Sequence, residues 1–238
     1  MFLWVEIKNN MLSCVVIILE DLIVCFVDRK MIFHSKIATI FSVSFLFNFD
    51  CKKIEAGALI ISENEYPNKN GLIPVIEALD GQLITNKLML AGSLQNGNWV
   101  TDTTNDILKI VVVNRYHAAP IAKAFIKNFS LTQGAIASSV AHDSHNIVAV
   151  GVDDASIAAA INLVIEAQGG VSVVSGANNS AVNNPNSLVL PLPVAGLMSS
   201  ADGFEVADKY TTIDLAAKAL GSKLQAPFMT LSFMALLV

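Results

Sequence analysis

The sequence predicts an α/β (α+β) fold, a mixed β-sheet domain with two main helices. Short runs rich in β-branched residues recur between residues 72 and 192, with turn formers between them. Two longer segments carry apolar residues at helical spacing. All 13 glycines and all 7 prolines lie from Gly57 onward, and this split predicts a boundary near residue 47.

The first 46 residues differ in character from the rest. From Met1 to Asp50 there is neither glycine nor proline, whereas a folded domain normally spreads its turn formers along the chain. We therefore expect residues 1–46 to be an apolar segment outside a domain of residues 47–238. Its apolar runs are interrupted by charges, and each is shorter than the roughly 18–20 residues that span a bilayer. These runs are Met11–Leu19, Leu22–Val27 and Ile37–Phe47.

The strands of the domain are predicted from apolar alternation and turn chemistry. Leu72–Ala78 and Gln82–Leu90 are expected to pair around the turn Asp80-Gly81. Ile107–Val113 is a continuous apolar run, typical of a strand buried on both faces. Further strands are predicted at Ile121–Phe129, Gly134–Ala141, Asn146–Val152, Val171–Ser175 and Leu188–Leu192. The Asn/Ser-rich stretch Ala177–Ser187 is predicted to be a surface loop.

Two helices follow from capping residues and apolar spacing. The first begins at an Asp153 or Asp154 cap and ends before Gly169-Gly170, with Ile157, Ile161, Val164 and Ile165 on one stripe. The second runs from about Gly203 to Gly221. The apolar tail Pro227–Val238 is expected to be buried, as are Met198, Met229 and Met234. Because the chain stops within this apolar tail, a domain truncated at its C-terminus is expected.

Composition limits the partners and the compartment. The net charge is −5 and no Lys/Arg cluster is visible, so a nucleic-acid partner is not expected. The three cysteines have neither metal-binding nor redox spacing, which favours reduced thiols and a cytoplasmic protein.

Residues 107–129, ILKIVVVNRYHAAPIAKAFIKNF, and 134–154, GAIASSVAHDSHNIVAVGVDD, resemble the C-terminal domain of adenine deaminases. The resemblance continues through residues 188–210 and 220–238, and upstream it reaches about Phe47. It covers roughly four fifths of the chain. Ser130 stands where the family usually has glycine.

The resemblance implies a catalytic partner that this sequence lacks. Family members carry a barrel before this domain, in which a divalent metal, manganese or iron, activates water for the conversion of adenine to hypoxanthine and ammonia. The four histidines here include no His-x-His pair, and about 46 residues are too few for a barrel of about 250. The resemblance therefore implies a fragment, inactive alone, that acts in purine salvage or adenine catabolism. Its partners would be the missing barrel, in cis or in trans, and further copies in a homo-oligomer.

The candidate site is the polar loop between two predicted strands, which contains His142, Asp143, Ser144 and His145. One interpretation is a structural turn whose imidazoles bond to backbone. A metal site is a weaker alternative, since His-x-x-His with one aspartate lacks a fourth ligand. The resemblance favours a third, a substrate-facing loop of the complete enzyme. Nearby, Arg115 ends the central strand and could hold a carboxylate of the partner domain or a buried aspartate of its own.

Two other functions remain compatible with the sequence. One is a non-catalytic remnant of a truncated or frame-shifted gene. The other is a membrane-associated accessory domain anchored by its N-terminal apolar segment.

Overall fold

The computed structural model describes residues 49–176 and 187–236 and, before residue 49, four short strands. The chain divides into two compact units, Met1–Phe47 and Asn48–Val238. In the first unit the four strands form an antiparallel sheet in sequence order: β1 (Phe2–Trp4), β2 (Cys14–Leu19), β3 (Leu22–Val27) and β4 (Lys30–Phe33). The predicted run Ile37–Phe47 lies outside the described residues. Where the chain is described, no helix is both long and apolar enough to cross a membrane.

The second unit is built on an eight-stranded mixed sheet. Its strands are β6 (Leu72–Ala78), β7 (Thr85–Ala91), β10 (Leu108–Val113), β11 (Ala122–Lys127), β12 (Ala135–Ser138), β13 (Ile147–Gly151), β14 (Gly170–Val174) and β15 (Ser187–Pro191). Their order across the sheet is β15-β14-β12-β13-β10-β11-β6-β7, and every neighbouring pair is antiparallel except β11 with β6. A smaller sheet joins β5 (Ile61–Ser62), β9 (Asn98–Val100) and β8 (Ser93–Gln95).

Helices cover both faces of the large sheet. Helix α1 (Asp154–Glu166) begins at Asp153, whose side chain accepts from the N–H of Ser156. It packs on one face against small strand residues such as Ala137 and Ala149. Helices α2 (Gly203–Ala219) and α3 (Pro227–Phe233) pack on the other face. The mixed α/β class predicted from the sequence is confirmed, with α3 as a third helix from the apolar tail.

Two sequence predictions need correction in this unit. Gln82–Ile84 lie outside the strand, because the connection around Asp80-Gly81 is longer than a tight hairpin and β7 starts only at Thr85. Met229 is 55% exposed, although the tail was expected to be buried, because it points away from the sheet while its neighbour Phe228 points inward at 3%. The predicted loop Ala177–Ser187 falls on residues outside the description, except for Ser187.

One end of the large sheet collects several polar segments. The register pairs Val113 with Ile147, so the residues that follow β10 lie beside the β12–β13 loop. Ser138 pairs with Val171, which brings the start of β14 to the same end. We call this end, with the β12–β13 loop and residues 114–117 and 192–198, the polar end of the sheet.

Candidate functional site

The loop Ala141–Asn146 has a fixed backbone at the polar end. The N–H of His145 donates to the carbonyl of Ala141 at 2.9 Å, and the N–H of Ser144 donates to the carbonyl of His142 at 2.7 Å. Asp143 and His145 adopt left-handed φ values of 62° and 48°. Such values are uncommon outside glycine, although aspartate and histidine tolerate them better than most residues. The backbone of residues 142–144 therefore forms a turn between β12 and β13.

The four predicted site residues lie together but differ in exposure. The side chains of His142 and Asp143 are 58% and 72% exposed, with His142 Nδ1 3.5 Å from Asp143 Oδ1. The backbone N–H of His142 donates to the carbonyl of Ser232, and its ring centroid lies 5.7 Å from that of Phe233. Helix α3 therefore supports the loop from one side and leaves the polar atoms of His142 and Asp143 facing solvent.

His145 sits deeper than His142. Its Nδ1 is buried and has no hydrogen-bond partner, and the same is true of the neighbouring Asn146 Oδ1. Burial, followed by the charge of Arg115, lowers the pKa of His145 below its ordinary value. At neutral pH the imidazole is therefore uncharged, with one ring nitrogen able to donate and the other able to accept.

A buried arginine holds this loop. Arg115 is only 3% exposed. Its Nε donates to the carbonyl of His145 at 2.5 Å, and its Nη2 donates to the carbonyl of Ala195 at 2.8 Å and to the hydroxyl of Tyr116 at 3.0 Å. The sequence led us to expect a carboxylate partner, but the partners described are mainly carbonyl oxygens. The planar guanidinium suits this task because its donors point in fixed, divergent directions.

Two glycines allow close packing around Arg115, Gly196 against the guanidinium and Gly169 against Gly196. A Cβ on Gly196 would lie 2.4 Å from Arg115 Nη1, and the φ of Gly196 is +71°. A Cβ on Gly169 would lie 2.3 Å from the Cα of Gly196. The turn after β15 therefore lies directly against Arg115, which requires a residue without a side chain at position 196.

The first described residues of the second unit also meet Arg115. The guanidinium carbon lies 5.3 Å from the ring centroid of Phe49, and the N–H of Asp50 donates to the carbonyl of Arg115 at 2.8 Å. Arg115 thus contacts Phe49 and Asp50, which we call the entry segment, as well as the loop at His145 and the turn at Ala195. Sequence reasoning missed this junction, because the joined segments are far apart along the chain. The arginine directly after a buried strand was the one available signal.

Potential metal ligands do not cluster in the part of the chain that the structure describes. No group of three or more His, Cys, Asp and Glu side chains among these residues is placed to hold a metal ion. The side chain of His142 is exposed, whereas His145 Nδ1 is buried. The arrangement instead offers hydrogen-bonding groups of mixed type on a rigid support.

These features define a class of protein: a mixed α/β domain with a polar loop at one end of its sheet, held in place by hydrogen bonds to Arg115 and α3. The family model for the adenine deaminase C-terminal domain matches residues 82–238. An adenine deaminase of Methanosarcina acetivorans is 47% identical over 196 residues, which cover 81% of this chain and 34% of that protein. One of Borreliella burgdorferi is 38% identical over 217 residues, which cover 90% of this chain and 37% of that protein. The chain belongs to the adenine deaminase C-terminal domain family.

The extent of these matches matters for the domain organisation. The chain spans about a third of the length of the curated relatives that it matches. The Borreliella match leaves about a tenth of the chain uncovered, fewer residues than the 46 expected to lie outside the family resemblance. The boundary near residue 47 therefore stays a prediction.

Proposed function

We propose that this chain is the C-terminal part of an adenine deaminase and that residues 47–238 form its domain. In this proposal the loop Ala141–Asn146 faces the active site of a catalytic barrel formed by the rest of the enzyme. His142 and His145 contact the purine as polar groups and not as metal ligands, with Asp143 and Ser144 beside them. The metal, manganese or iron, belongs to the barrel, which acts in cis or in trans.

The junction at Arg115 is the observation that carries this proposal. The family model is that of a C-terminal domain, so we expect most of the length of the relatives to precede the matched region. Phe49 and Asp50, the first described residues of the unit, lie on Arg115, which also holds the carbonyl of His145. A catalytic domain that joins this unit at its entry segment would therefore adjoin the polar end, where the loop lies.

The chemistry of the loop suits a purine. Adenine offers ring nitrogens that accept hydrogen bonds and an amino group that donates them. The uncharged imidazole of His145 can do either, and the carboxylate of Asp143 can accept from an amino group. Because the backbone of the loop is fixed by Arg115 and α3, these groups would keep their positions without a large entropic cost.

The wider role follows from this assignment. The complete enzyme would release ammonia from adenine and leave hypoxanthine, as in purine salvage or adenine catabolism. We further propose that it works in the cytoplasm and as a homo-oligomer.

The proposal is tested by comparing the isolated chain with a chimera. The chimera carries the catalytic part of the Methanosarcina acetivorans relative followed by residues 49–238 of this chain. The isolated chain should release no ammonia from adenine with Mn²⁺ or Fe²⁺ supplied, whereas the chimera should. Ammonia release by the isolated chain above that of its His142→Ala variant would contradict the proposal. A folded, metal-loaded but inactive chimera would also contradict it.

A further inference from the structure

An apolar cleft opens between α2 and α3, beside the polar end. Its volume is about 490 Å³. Its floor consists of the core residues Val171, Leu190 and Leu192. Val206 and Tyr210 line one side, and Phe228 and Met229 line the other. In the part of the chain that the structure describes, the cleft therefore leads down to the hydrophobic core of the domain.

The cleft exists because the first half of α2 does not pack down onto the sheet. From residue 203 to residue 212 no side chain is buried, and only Val206 is partly buried. The buried residues of α2 are Ile213 and Ala217, in its second half. At the mouth of the cleft Met229 is 55% exposed, and at the start of α2 Phe204 is 85% exposed. Large exposed apolar side chains grouped around an open cleft are typical of an interaction site.

The cleft is continuous with the loop Ala141–Asn146. Val140 lines the cleft and directly precedes the loop. Ser232 also lines the cleft, and its carbonyl accepts the backbone N–H of His142 at 2.8 Å. A partner that lies over the loop would therefore reach the mouth of the cleft.

We propose that the cleft receives a large apolar side chain from the catalytic domain of the same enzyme, so that cleft and loop form one interface. This inference rests on the proposed function, which places that domain over the loop. Two observations favour this occupant over a second copy of the chain or a small molecule. The cleft joins the loop without a break, and about two thirds of the length of the relatives lies outside the matched region. Helix α3, which lies between loop and cleft, then acts as the shared support of the interface.

Thiol labelling tests this placement. Cysteine is introduced by Met229→Cys at the mouth of the cleft, by Asp143→Cys on the loop, and by Leu215→Cys as a control. Leu215 is 61% exposed on α2 and does not line the cleft. Each variant is made in the full chain and in the chimera with the Methanosarcina acetivorans catalytic part. Alkylation is followed peptide by peptide by mass spectrometry, so other thiols do not interfere.

The inference predicts a specific pattern of protection. The cysteine at position 229 should react roughly tenfold more slowly in the chimera than in the full chain, because a covered thiol is less accessible to the reagent. The cysteine at position 215 should react equally in both. Protection at 143 with none at 229 would overturn the docking of the cleft and leave the proposed function standing. Full reactivity at both 143 and 229 in folded, metal-loaded chimeras would overturn both.

The full chain alone provides a second test that needs no chimera. An uncovered cleft should bind the dye anilinonaphthalene sulfonate, and Met229→Lys should weaken that binding severalfold, whereas Leu215→Lys should not. Equal dye binding by the Met229→Lys variant and the unaltered chain would contradict an open apolar cleft. Protection of the cysteine at 229 that increases with the concentration of the chain alone would show that a second copy covers the cleft, and would overturn the inference.

Discussion

The guanidinium of Arg115 donates to the carbonyl oxygen of His145, a residue 30 positions further along the chain. This bond fixes the loop of the candidate site to the end of the central strand β10. Its Nη2 donates to the carbonyl of Ala195 in the turn after β15, and its guanidinium carbon lies 5.3 Å from the ring centroid of Phe49. The position of the loop therefore depends on this buried cation as well as on α3, whose Ser232 carbonyl accepts the N–H of His142.

Removal of this cation should destabilise the domain. Arg115→Ala leaves the carbonyls of His145 and Ala195 without their donors, so we expect a loss of about 3 kcal/mol in the free energy of unfolding. Arg115→Lys keeps the charge but cannot direct donors to both carbonyls at once, so a smaller loss of about 1–2 kcal/mol is expected. Urea unfolding of the full chain measures both values. Equal stability of the alanine variant and the unaltered chain would show that the junction contributes nothing.

Gly196→Ala should destabilise through contact with Arg115. Gly97 provides a matched control, since its φ is +74° against +71° for Gly196, but no atom lies within 4 Å of its Cβ position. Gly97→Ala should therefore lose only the cost of a left-handed alanine, about 1–2 kcal/mol. Gly196→Ala should lower the free energy of unfolding by about 1–3 kcal/mol more than Gly97→Ala does. The reason is that its methyl group would overlap with Arg115 Nη1, at 2.4 Å. Similar losses in both variants would mean that Arg115 can move aside freely.

His145 should make stability depend on pH. Its pKa is lowered in the folded chain from the value of 6.5 that applies to an unperturbed histidine. On acidification below about pH 6.5 the unfolded chain takes up this proton first, so the free energy of unfolding falls until the folded pKa is reached. Above about pH 6.5 neither the folded nor the unfolded chain binds this proton, so His145 adds no pH dependence there. His145→Asn, which tolerates the left-handed backbone, should reduce the slope of stability against pH in that window. An unchanged slope in the His145→Asn variant would contradict this linkage.

Ser130→Gly should stabilise the domain. Ser130 has a φ of +57°, in the left-handed region that glycine adopts most readily. Its backbone N–H donates to Asp106 Oδ1 at 2.8 Å, a bond that glycine retains. We expect the free energy of unfolding to rise by about 0.5–1 kcal/mol. Glycine removes the conformational cost of a left-handed serine, and part of this gain is offset by the larger entropy that glycine loses on folding.

Asn128→Gly is the control for this change. Asn128 also has a left-handed φ, of +78°, but its Nδ2 donates to the carbonyl of Ala78 at 2.9 Å, a closer bond than the 3.4 Å one from Ser130 Oγ to Asp106 Oδ2. This variant should therefore lose stability. Thermal unfolding of both variants decides the matter, and a lower melting temperature for Ser130→Gly would contradict the account.

Local signals in the sequence predicted much of the fold. The bounds of β6 match the prediction for Leu72–Ala78, and α1 begins after the predicted cap Asp153. β10 is buried as expected from its continuous apolar run. These features depend on turn formers, caps and β-branched runs, which act over a few residues. The prediction missed the smaller sheet, because strands such as Ile61–Ser62 are too short to show an alternation.

The remaining features depend on contacts between distant residues. The parallel pairing of β11 with β6 and the bonds of Arg115 join segments that no local pattern connects. The four residues of the loop were found because a polar run interrupts two apolar ones. Their unequal burial was not predictable, since it depends on α3 and on Arg115, which reach the loop from elsewhere in the chain.

The most direct test of the account replaces each loop histidine in the chimera with the Methanosarcina acetivorans catalytic part. Adenine turnover per folded molecule, metal content and melting temperature are measured for His142→Ala and His145→Ala, with His117→Ala as the control outside the loop. The account predicts that turnover falls by about a hundredfold in at least one loop variant, with metal content retained and His117→Ala unaffected. Unchanged turnover per folded molecule in both loop variants, with a lowered melting temperature, would show that the histidines only support the turn and would contradict the account.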